Sequence, residues 1–263
     1  MGISIYTTCY NILTHGFDGW EDNLKSAAQF ADELIIVVNN SEDDTDSAIR
    51  VALWGFDNYK IVPANFSKLD PLFDGRLKNL GLQSCTQPWK IQLDLDETIP
   101  LWQRPLWENA FVQLQYSGAQ AMAIPSVDIY KDKDHYKSIN LKTYGSIGQL
   151  WRGPAGNALK PGYFINTQFS DGTELIDEKF QPARALRLYS GEKEILQNLE
   201  SGNFPYVLHW GYLNLEERIK RTQQFWGAHW LQESNGSLPA HKIHTDNTTF
   251  GHYDYKPHNL RLS

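Results

Sequence analysis

The sequence predicts a doubly wound α/β domain over its first hundred residues. Three observations predict it: short apolar runs typical of buried strands, helical periodicity between those runs, and polar turns where the runs end. The nearly continuous apolar run at residues 33–38 is typical of a strand buried on both faces of a parallel sheet. Ligands of such sheets bind at the carboxyl ends of the strands, so the residues that follow each strand are the candidate site.

The predicted elements alternate along the chain. We expect strands at residues 3–10, 33–38, 59–63 and 90–95, and helices at residues 20–31, 46–54 and 74–84. Asp18 and Glu21 are expected to form a capping box for the first helix. Beyond residue 100 the pattern predicts a more mixed region, with a helix from Pro105 that ends before Gly118. Strands are expected there at residues 120–129, 146–151, 183–189 and 206–209, with loops at residues 153–182 and a long helix from residue 214.

Composition and charge exclude several classes of protein. The chain of 263 residues carries 24 Lys and Arg against 31 Asp and Glu, a formal net charge of −7, which argues against a nucleic-acid or anionic-membrane binder. We expect no transmembrane segment, because no apolar run approaches about 18 residues. The N-terminus lacks the features of a signal peptide, and Cys9 and Cys85 suit reduced thiols, so the predicted location is cytoplasmic.

The most informative segment is the acidic sequence at residues 90–97. A strand with a period of two would place Asp94 and Asp96 on the same face, where the two carboxylates repel each other. The pair becomes favourable when a divalent cation and the phosphates of a substrate neutralise it. An exposed acidic turn without a function is the alternative interpretation.

Two enzyme classes use this pattern. Residues 94–98 resemble the opening motif of haloacid-dehalogenase-type phosphatases, in which the first Asp, here Asp94, is a phosphoryl nucleophile. They also resemble the Asp-x-Asp element of GT-A-fold glycosyltransferases, which holds Mn²⁺ or Mg²⁺ against a nucleotide diphosphate. The phosphatase motif normally lies on the first strand of its domain, whereas three strand–helix units precede Asp94 here. The order of elements therefore favours the glycosyltransferase interpretation.

Further segments resemble glycosyltransferase family 2. Residues 4–11 are similar to the first strand of that fold, residues 38–45 to its acidic turn, and residues 77–82 to the helix before the metal motif. Residues 149–152 and 207–212 are similar to its later strands. The resemblance departs at Asn39 and Asn40, where acids are common in the family. It implies a GT-A fold, a mixed sheet flanked by helices, with a catalytic domain at residues 1–212, divided at 99/100, and a C-terminal helix and tail at 213–263.

The resemblance also implies roles for individual residues. Asp94, Asp96 and His209 are expected to hold the metal, and a carboxylate that follows the metal motif is expected to act as the base of an inverting transfer. The candidate bases are Asp177, Glu178 and Asp171, and the candidate nucleotide contacts are Thr8, Asn11, Asn40, Asp43, Lys78 and Asp94.

These roles describe a metal-dependent glycosyltransferase of polysaccharide biosynthesis. Its expected partners are a UDP- or GDP-sugar donor and a glycan or lipid-linked acceptor. The alternatives are the phosphatase with Asp94 as nucleophile and a non-catalytic relative that binds glycans through its aromatic residues, which make up 13% of the chain.

Overall fold

The structure of the chain is a computed structural model that describes residues 2–67, 70, 72–154, 164–165, 173–188, 192–213 and 256–262. Over these ranges, eleven strands form one mixed sheet and two more form a separate antiparallel pair. Helices pack on both faces of the large sheet, so the predicted doubly wound α/β fold is confirmed. No helix within these ranges is both long and apolar enough to cross a lipid bilayer.

The first half of the fold is a parallel sheet. Its strands lie in the order β3, β2, β1, β4, so their carboxyl ends meet at one edge. The elements are β1 (Ile3–Cys9), α1 (Ile12–His15), α2 (Trp20–Phe30), β2 (Glu33–Asn39), α3 (Thr45–Ala52), β3 (Tyr59–Ala64), α4 (Phe73–Ser84) and β4 (Trp89–Gln92).

The second half completes the sheet with antiparallel and parallel strands. It comprises β5 (Glu97–Thr98), a 3-10 helix (Leu101–Gln103), α5 (Arg104–Ser117), β6 (Ala121–Tyr130), β7 (His135–Ile147), β8 (Trp151–Pro154), β9 (Phe164–Ile165), β10 (Thr173–Ile176), β11 (Ala185–Arg187), α6 (Glu192–Glu200), β12 (Val207–Tyr212) and β13 (Lys256–Pro257). Strand β7 joins the halves, since it runs antiparallel to both β4 and β6. Strand β12 pairs with β5 and β6, which brings its residues beside the end of β4.

Alternate residues of the central strands enter two different cores. Ile5 and Ile36 pack with α2, α3 and α5 on one face of the sheet, whereas Tyr6 and Val37 pack with α4 on the other. Burial of both faces explains why strands β1 and β2 read as almost continuous apolar runs. The last described residues also join a core, because Leu260 packs with Tyr206 and α6.

Some expectations from the sequence are wrong in detail. Helix α2 begins after Gly19, at a φ of 95°, and no side-chain hydrogen bond caps it, so the capping box at Asp18 does not form. Strand β4 ends at Gln92, so residues 94–96 belong to a turn and not to a pleated strand. Most of β7 and all of α6 were not predicted. The helix expected from residue 214 lies outside the described residues.

Helix α4 approaches the sheet closely because residue 81 is glycine. A Cβ atom added to Gly81 would lie 2.9 Å from Cδ2 of Tyr6 and 3.3 Å from Cγ2 of Val37. Both neighbours are buried side chains with little room to move. The glycine therefore fixes the distance between α4 and β1, and with it the position of Lys78 one turn earlier.

Replacing Gly81 by alanine is expected to lower the free energy of unfolding. Overpacking of a core costs about 1–3 kcal/mol, against a gain of about 1 kcal/mol when alanine replaces glycine inside a helix. Chemical denaturation of the variant measures the net effect. In a Tyr6→Ala background, where the ring is absent, the same substitution is expected to be neutral or stabilising. An equal cost in both backgrounds would show that Tyr6 does not limit the approach of α4.

Candidate functional site

The two carboxylates singled out in the sequence lie in a tight turn at the carboxyl end of β4. We call residues 94–97 the acidic turn. The backbone N–H of Asp94 donates to Oε2 of Glu97 at 2.9 Å, and the N–H of Glu97 donates to the carbonyl oxygen of Asp94 at 3.0 Å. These reciprocal bonds, and not the alternation of a strand, place the side chains of Asp94 and Asp96.

The buried side chain of Glu97 connects this turn to strand β7. Its side chain is 2% exposed, and Oε1 accepts hydrogen bonds from Lys142 Nζ at 3.0 Å and Tyr144 Oη at 2.5 Å. Burial and the charge of Glu97 raise the pKa of Tyr144 well above its usual value, so the phenol stays a donor. Burial lowers the pKa of Lys142, but the nearby carboxylate of Glu97 outweighs it and raises that pKa. The buried carboxylate is thus fully paired, as its position requires.

Asp94 faces a lysine from helix α4. Lys78 Nζ lies 3.2 Å from Oδ1 of Asp94 and 3.0 Å from Oδ2 of Asp74, one helical turn before Lys78. Gln92 Nε2 donates to the same Oδ1 atom of Asp94 at 2.9 Å. The side chain of Asp94 is nevertheless 42% exposed, whereas that of Lys78 is 13% exposed. Asp94 can therefore contact a further group from the solvent side while Oδ1 keeps its contacts with Lys78 and Gln92.

Asp96 faces a histidine from strand β12. Its Oδ2 lies 3.4 Å from Nε2 of His209, and Nδ1 of the same ring lies 2.7 Å from Oδ1 of Asp128 on β6. The backbone N–H of Trp210 donates to the carbonyl oxygen of Asp96 at 2.7 Å, which ties β12 to the acidic turn. Burial favours a neutral ring, but the Asp96 and Asp128 carboxylates outweigh it and raise the pKa of His209 to about 9. The ring is therefore a cation at neutral pH.

The repulsion expected between Asp94 and Asp96 is thus offset by cations. Lys78 compensates the first carboxylate and His209 the second. A further cation, Arg152 on β8, is buried nearby, and its charge acts with that of Lys78 on the phenol of Tyr6. The carboxyl edge of the sheet therefore combines partly exposed carboxylates with buried or half-buried cations.

Some of the residues predicted to contact the nucleotide after β1 and β2 instead hold neighbouring loops together. Asn11 is 4% exposed with φ of 45°, and its Oδ1 accepts the N–H of Glu42 at 2.7 Å. Its own N–H donates to Oγ of Ser41 at 3.1 Å. Thr8 is half-buried near the end of β1, and Asn40 is exposed directly after β2. Asn11 thus locks two loops together, while Asn40 faces solvent at the predicted edge.

Asp43 performs a similar structural task. Oδ2 accepts the backbone N–H groups of Leu13 and Thr14, each at 3.1 Å, and Oδ1 accepts the hydroxyl of Thr45. Burial works against the charged form, yet these hydrogen bonds hold the pKa of Asp43 below its usual value. Asp43 therefore caps the short α1 segment from the neighbouring loop.

The two candidate bases that the structure describes, Asp177 and Glu178, lie on a turn of their own after β10. Oδ1 of Asp177 accepts the N–H groups of Lys179 and Gln181, both at 2.9 Å, and so closes its own turn after β10. Glu178 is exposed on that turn. Asp171 lies outside the described residues. Within the described part of the chain, the structure therefore brings together Lys78, Asp94, Asp96 and His209, and the hydrogen bonds of the Asp177 carboxylate stay within its own turn.

Several residues of the site were not found from the sequence. They are charged or polar side chains within strands, namely Asp128, Lys142, Tyr144 and Arg152, and of these only Asp128 lies in a strand that is buried along its whole length. Within the described part of the chain, no three His, Cys, Asp or Glu side chains already converge as a metal site. The metal ligands expected from the sequence, Asp94, Asp96 and His209, therefore do not form a complete metal site by themselves.

No protein-family profile and no curated protein matches the chain. Solved structures that are similar to it include residues 1–349 of TarS from S. aureus, with 13% identity, a TM-score of 0.40, and coverage of 92% of this chain and 68% of that one. The chain spans 41% of a longer TarS structure.

Two similar structures contain Mn²⁺ and a nucleotide. The mannosyltransferase PcManGT from Pyrobaculum calidifontis, in complex with GDP-Man and Mn²⁺, is 19% identical with a TM-score of 0.38, over 46% of this chain and 34% of that one. Glucosyl-3-phosphoglycerate synthase from Mycobacterium tuberculosis, with Mn²⁺, UDP and phosphoglyceric acid, is 18% identical with a TM-score of 0.32, over 48% of this chain and 43% of that one.

The raised pKa of His209 predicts a pH-dependent stability of the metal-free protein. Because the folded-state pKa of about 9 lies above the unfolded value, the stabilisation is complete below about pH 6.5 and is lost as the pH rises through 9. The difference in unfolding free energy between the wild type and His209→Gln is expected to shrink by an amount on the order of 3 kcal/mol across that range. Asp96, Asp128 and Lys142 are the charged groups that act on the ring.

Denaturant titrations in EDTA between pH 6 and pH 10 measure this difference. His135→Gln is the matched control, because it removes a half-exposed histidine that contacts Asp132. A difference between wild type and His209→Gln that does not change with pH would contradict the assignment of a charged His209.

Proposed function

We propose that the protein is a metal-dependent glycosyltransferase that transfers a sugar from a nucleotide diphosphate to a glycan or lipid-linked acceptor. The observation that carries this proposal is the acidic turn at the carboxyl edge of the parallel strands. There the partly exposed carboxylates of Asp94 and Asp96 stand beside Lys78 and His209. A fixed pair of carboxylates that is open to solvent suits a divalent cation bound together with phosphates.

The donor atoms of the site fit such an ion. Carboxylate oxygens from Asp94 and Asp96 are ligands that Mn²⁺ or Mg²⁺ accepts, and Nε2 of His209 becomes one when it gives up its proton to solvent. Asp94 is anchored through Oδ1 by Gln92, and His209 is anchored through Nδ1 by Asp128. These three residues would hold the ion. When bound, it supplies a positive charge that stabilises the departing nucleoside diphosphate.

The cations of the chain complement that charge. Lys78 is fixed between Asp74 and Asp94, and the backbone N–H of Arg152 donates to Oδ1 of Asn79 on helix α4 at 2.9 Å. Two carboxylates hold Lys78 in place and the side chain of Arg152 is buried, so neither cation is free to turn away into solvent. We assign them to the diphosphate, with Asn40 and Thr8 on the side of the base and ribose.

The base of the reaction comes from the segment around β10 in this proposal. Inversion at the anomeric carbon requires a carboxylate that takes the proton of the acceptor hydroxyl. Asp177 remains the first choice, with Glu178 and Asp171 as alternatives. Asp177 is half-buried and fixed through Oδ1, which suits a residue that must hold one orientation.

Binding of a nucleoside diphosphate is expected to require a divalent cation. Without the ion, the carboxylates of Asp94 and Asp96 face the anionic diphosphate directly, so calorimetry should show at least about tenfold weaker binding of UDP or GDP in EDTA than in Mn²⁺. Asp96→Asn should lose the enhancement by Mn²⁺, whereas Asp132→Asn, on the turn after β6, should keep it. Equal affinity of the wild type in EDTA and Mn²⁺ would remove the metal from the proposal.

Product analysis separates the transferase from the phosphatase alternative. Incubation with UDP- or GDP-sugars and Mn²⁺ is expected to release the nucleoside diphosphate with transfer to an acceptor or to water, and Asp94→Asn should lower this rate at least a hundredfold. Hydrolysis of a phosphomonoester with an acyl phosphate on Asp94, detected by mass spectrometry, would instead support the phosphatase. A folded protein that binds oligosaccharides without turnover would support the glycan-binding alternative.

A further inference from the structure

Both ring nitrogens of His209 face carboxylates, and the two contacts differ. Nδ1 lies 2.7 Å from Oδ1 of Asp128, a full hydrogen bond, whereas Nε2 lies 3.4 Å from Oδ2 of Asp96. An ionised carboxylate only accepts hydrogen bonds, so Nδ1 must carry a proton. The short contact therefore fixes Nε2 as the nitrogen that is directed at the acidic turn.

Asp128 is itself held by the neighbouring strand. Its Oδ2 accepts the hydroxyl of Ser138 and the amide of Asn140, the latter at 2.9 Å, and both donors lie on β7. Asp128 is 4% exposed and lies opposite Ser138 in the pairing of β6 with β7. A buried carboxylate with partners on both oxygens keeps one orientation and imposes it on the imidazole.

We propose that Asp128 is a positioning residue that keeps the proton of His209 on Nδ1 and fixes the orientation of the ring, so that Nε2, whose proton passes to solvent when the ion binds, is presented to the divalent ion at the acidic turn. This inference rests on the proposed function for the ion, but Asp128 touches neither the ion nor the nucleotide. Carboxylates that hold the second nitrogen of a ligating histidine typically account for a 10–100-fold change in metal affinity. Asp128 is expected to act through His209 alone.

A second carboxylate–histidine pair in the chain provides a matched control. Nδ1 of His135 lies 2.6 Å from Oδ1 of Asp132, a contact of the same kind at the turn between β6 and β7. The side chain of Asp132 is 46% exposed, and its pair belongs to the turn at residues 132–135. A substitution of Asp132 therefore removes a carboxylate–histidine pair of the same kind but leaves the contacts of His209 in place.

The first test uses the metal-free protein and proton NMR. A ring Nδ1–H that is hydrogen-bonded to a buried carboxylate gives a resolved downfield signal, which His209→Ala identifies by its loss. We expect Asp128→Ala to lose the same signal and Asp132→Ala to keep it. A folded Asp128→Ala protein that retains the His209 signal would overturn the inference, because another group would then hold Nδ1.

The second test measures Mn²⁺ by electron paramagnetic resonance in the presence of UDP. Asp128→Ala is expected to raise the dissociation constant of Mn²⁺ by about 10–100-fold, and Asp128→Asn, which keeps an oxygen acceptor, by less. Asp132→Ala should leave it unchanged. In a His209→Ala background, Asp128→Ala should add no further loss, because both substitutions remove the same nitrogen.

The outcomes of the two tests separate the inference from the proposed function. Melting temperatures of all variants show which of them are folded. An unchanged Mn²⁺ dissociation constant in a folded Asp128→Ala protein would overturn the positioning role. A wild-type protein that binds no Mn²⁺ with UDP would overturn the proposed metal-dependent function, and with it the presentation of Nε2 to an ion. The NMR result would then decide separately whether Asp128 orients His209.

Discussion

The buried carboxylate of Glu97 is the interaction on which the rest of the site depends. It accepts the backbone N–H of Asp94 on one oxygen and the side chains of Lys142 and Tyr144 on the other. Burial of an unpaired carboxylate is costly, so this residue is stable inside the protein only when the turn and strand β7 are both in place. The turn geometry that exposes Asp94 and Asp96 is therefore coupled to formation of the core between β6 and β7.

The site is also an assembly of segments that are distant in the sequence. Lys78 comes from α4, the acidic turn follows β4, Asp128 comes from β6, and His209 comes from β12. The sheet brings them together because β7 joins the parallel half to β6, and β12 then pairs beside β5. Each contact closes a long loop, so the site forms only when the whole sheet has formed.

Features of the fold that depend on local burial could be predicted from the sequence, whereas contacts between distant segments could not. The first four strands and the helices between them were predicted because burial of both sheet faces leaves a local pattern in the sequence. Strand β7 was largely missed, since its half-buried residues alternate weakly. The end of β4 was misplaced because the Asp94 N–H donates to the Glu97 side chain and not to a neighbouring strand. The partners of His209 and Glu97 depend on strand register, which a single sequence does not encode locally.

Exposure divides the polar residues at the carboxyl edge into two groups with different tasks. Asn11 and Asn39 are 4% and 2% exposed, and their side chains are bonded to the backbone of neighbouring loops. Such residues shape the edge, and a ligand could use them only by breaking those bonds. The side chains of Asp94 and Asp96 are 42% and 21% exposed and stand beside fixed cations. Since removal of Lys78 and His209 would leave two repelling carboxylates, these two cations stabilise the turn, and in the proposed function Lys78 also faces the diphosphate.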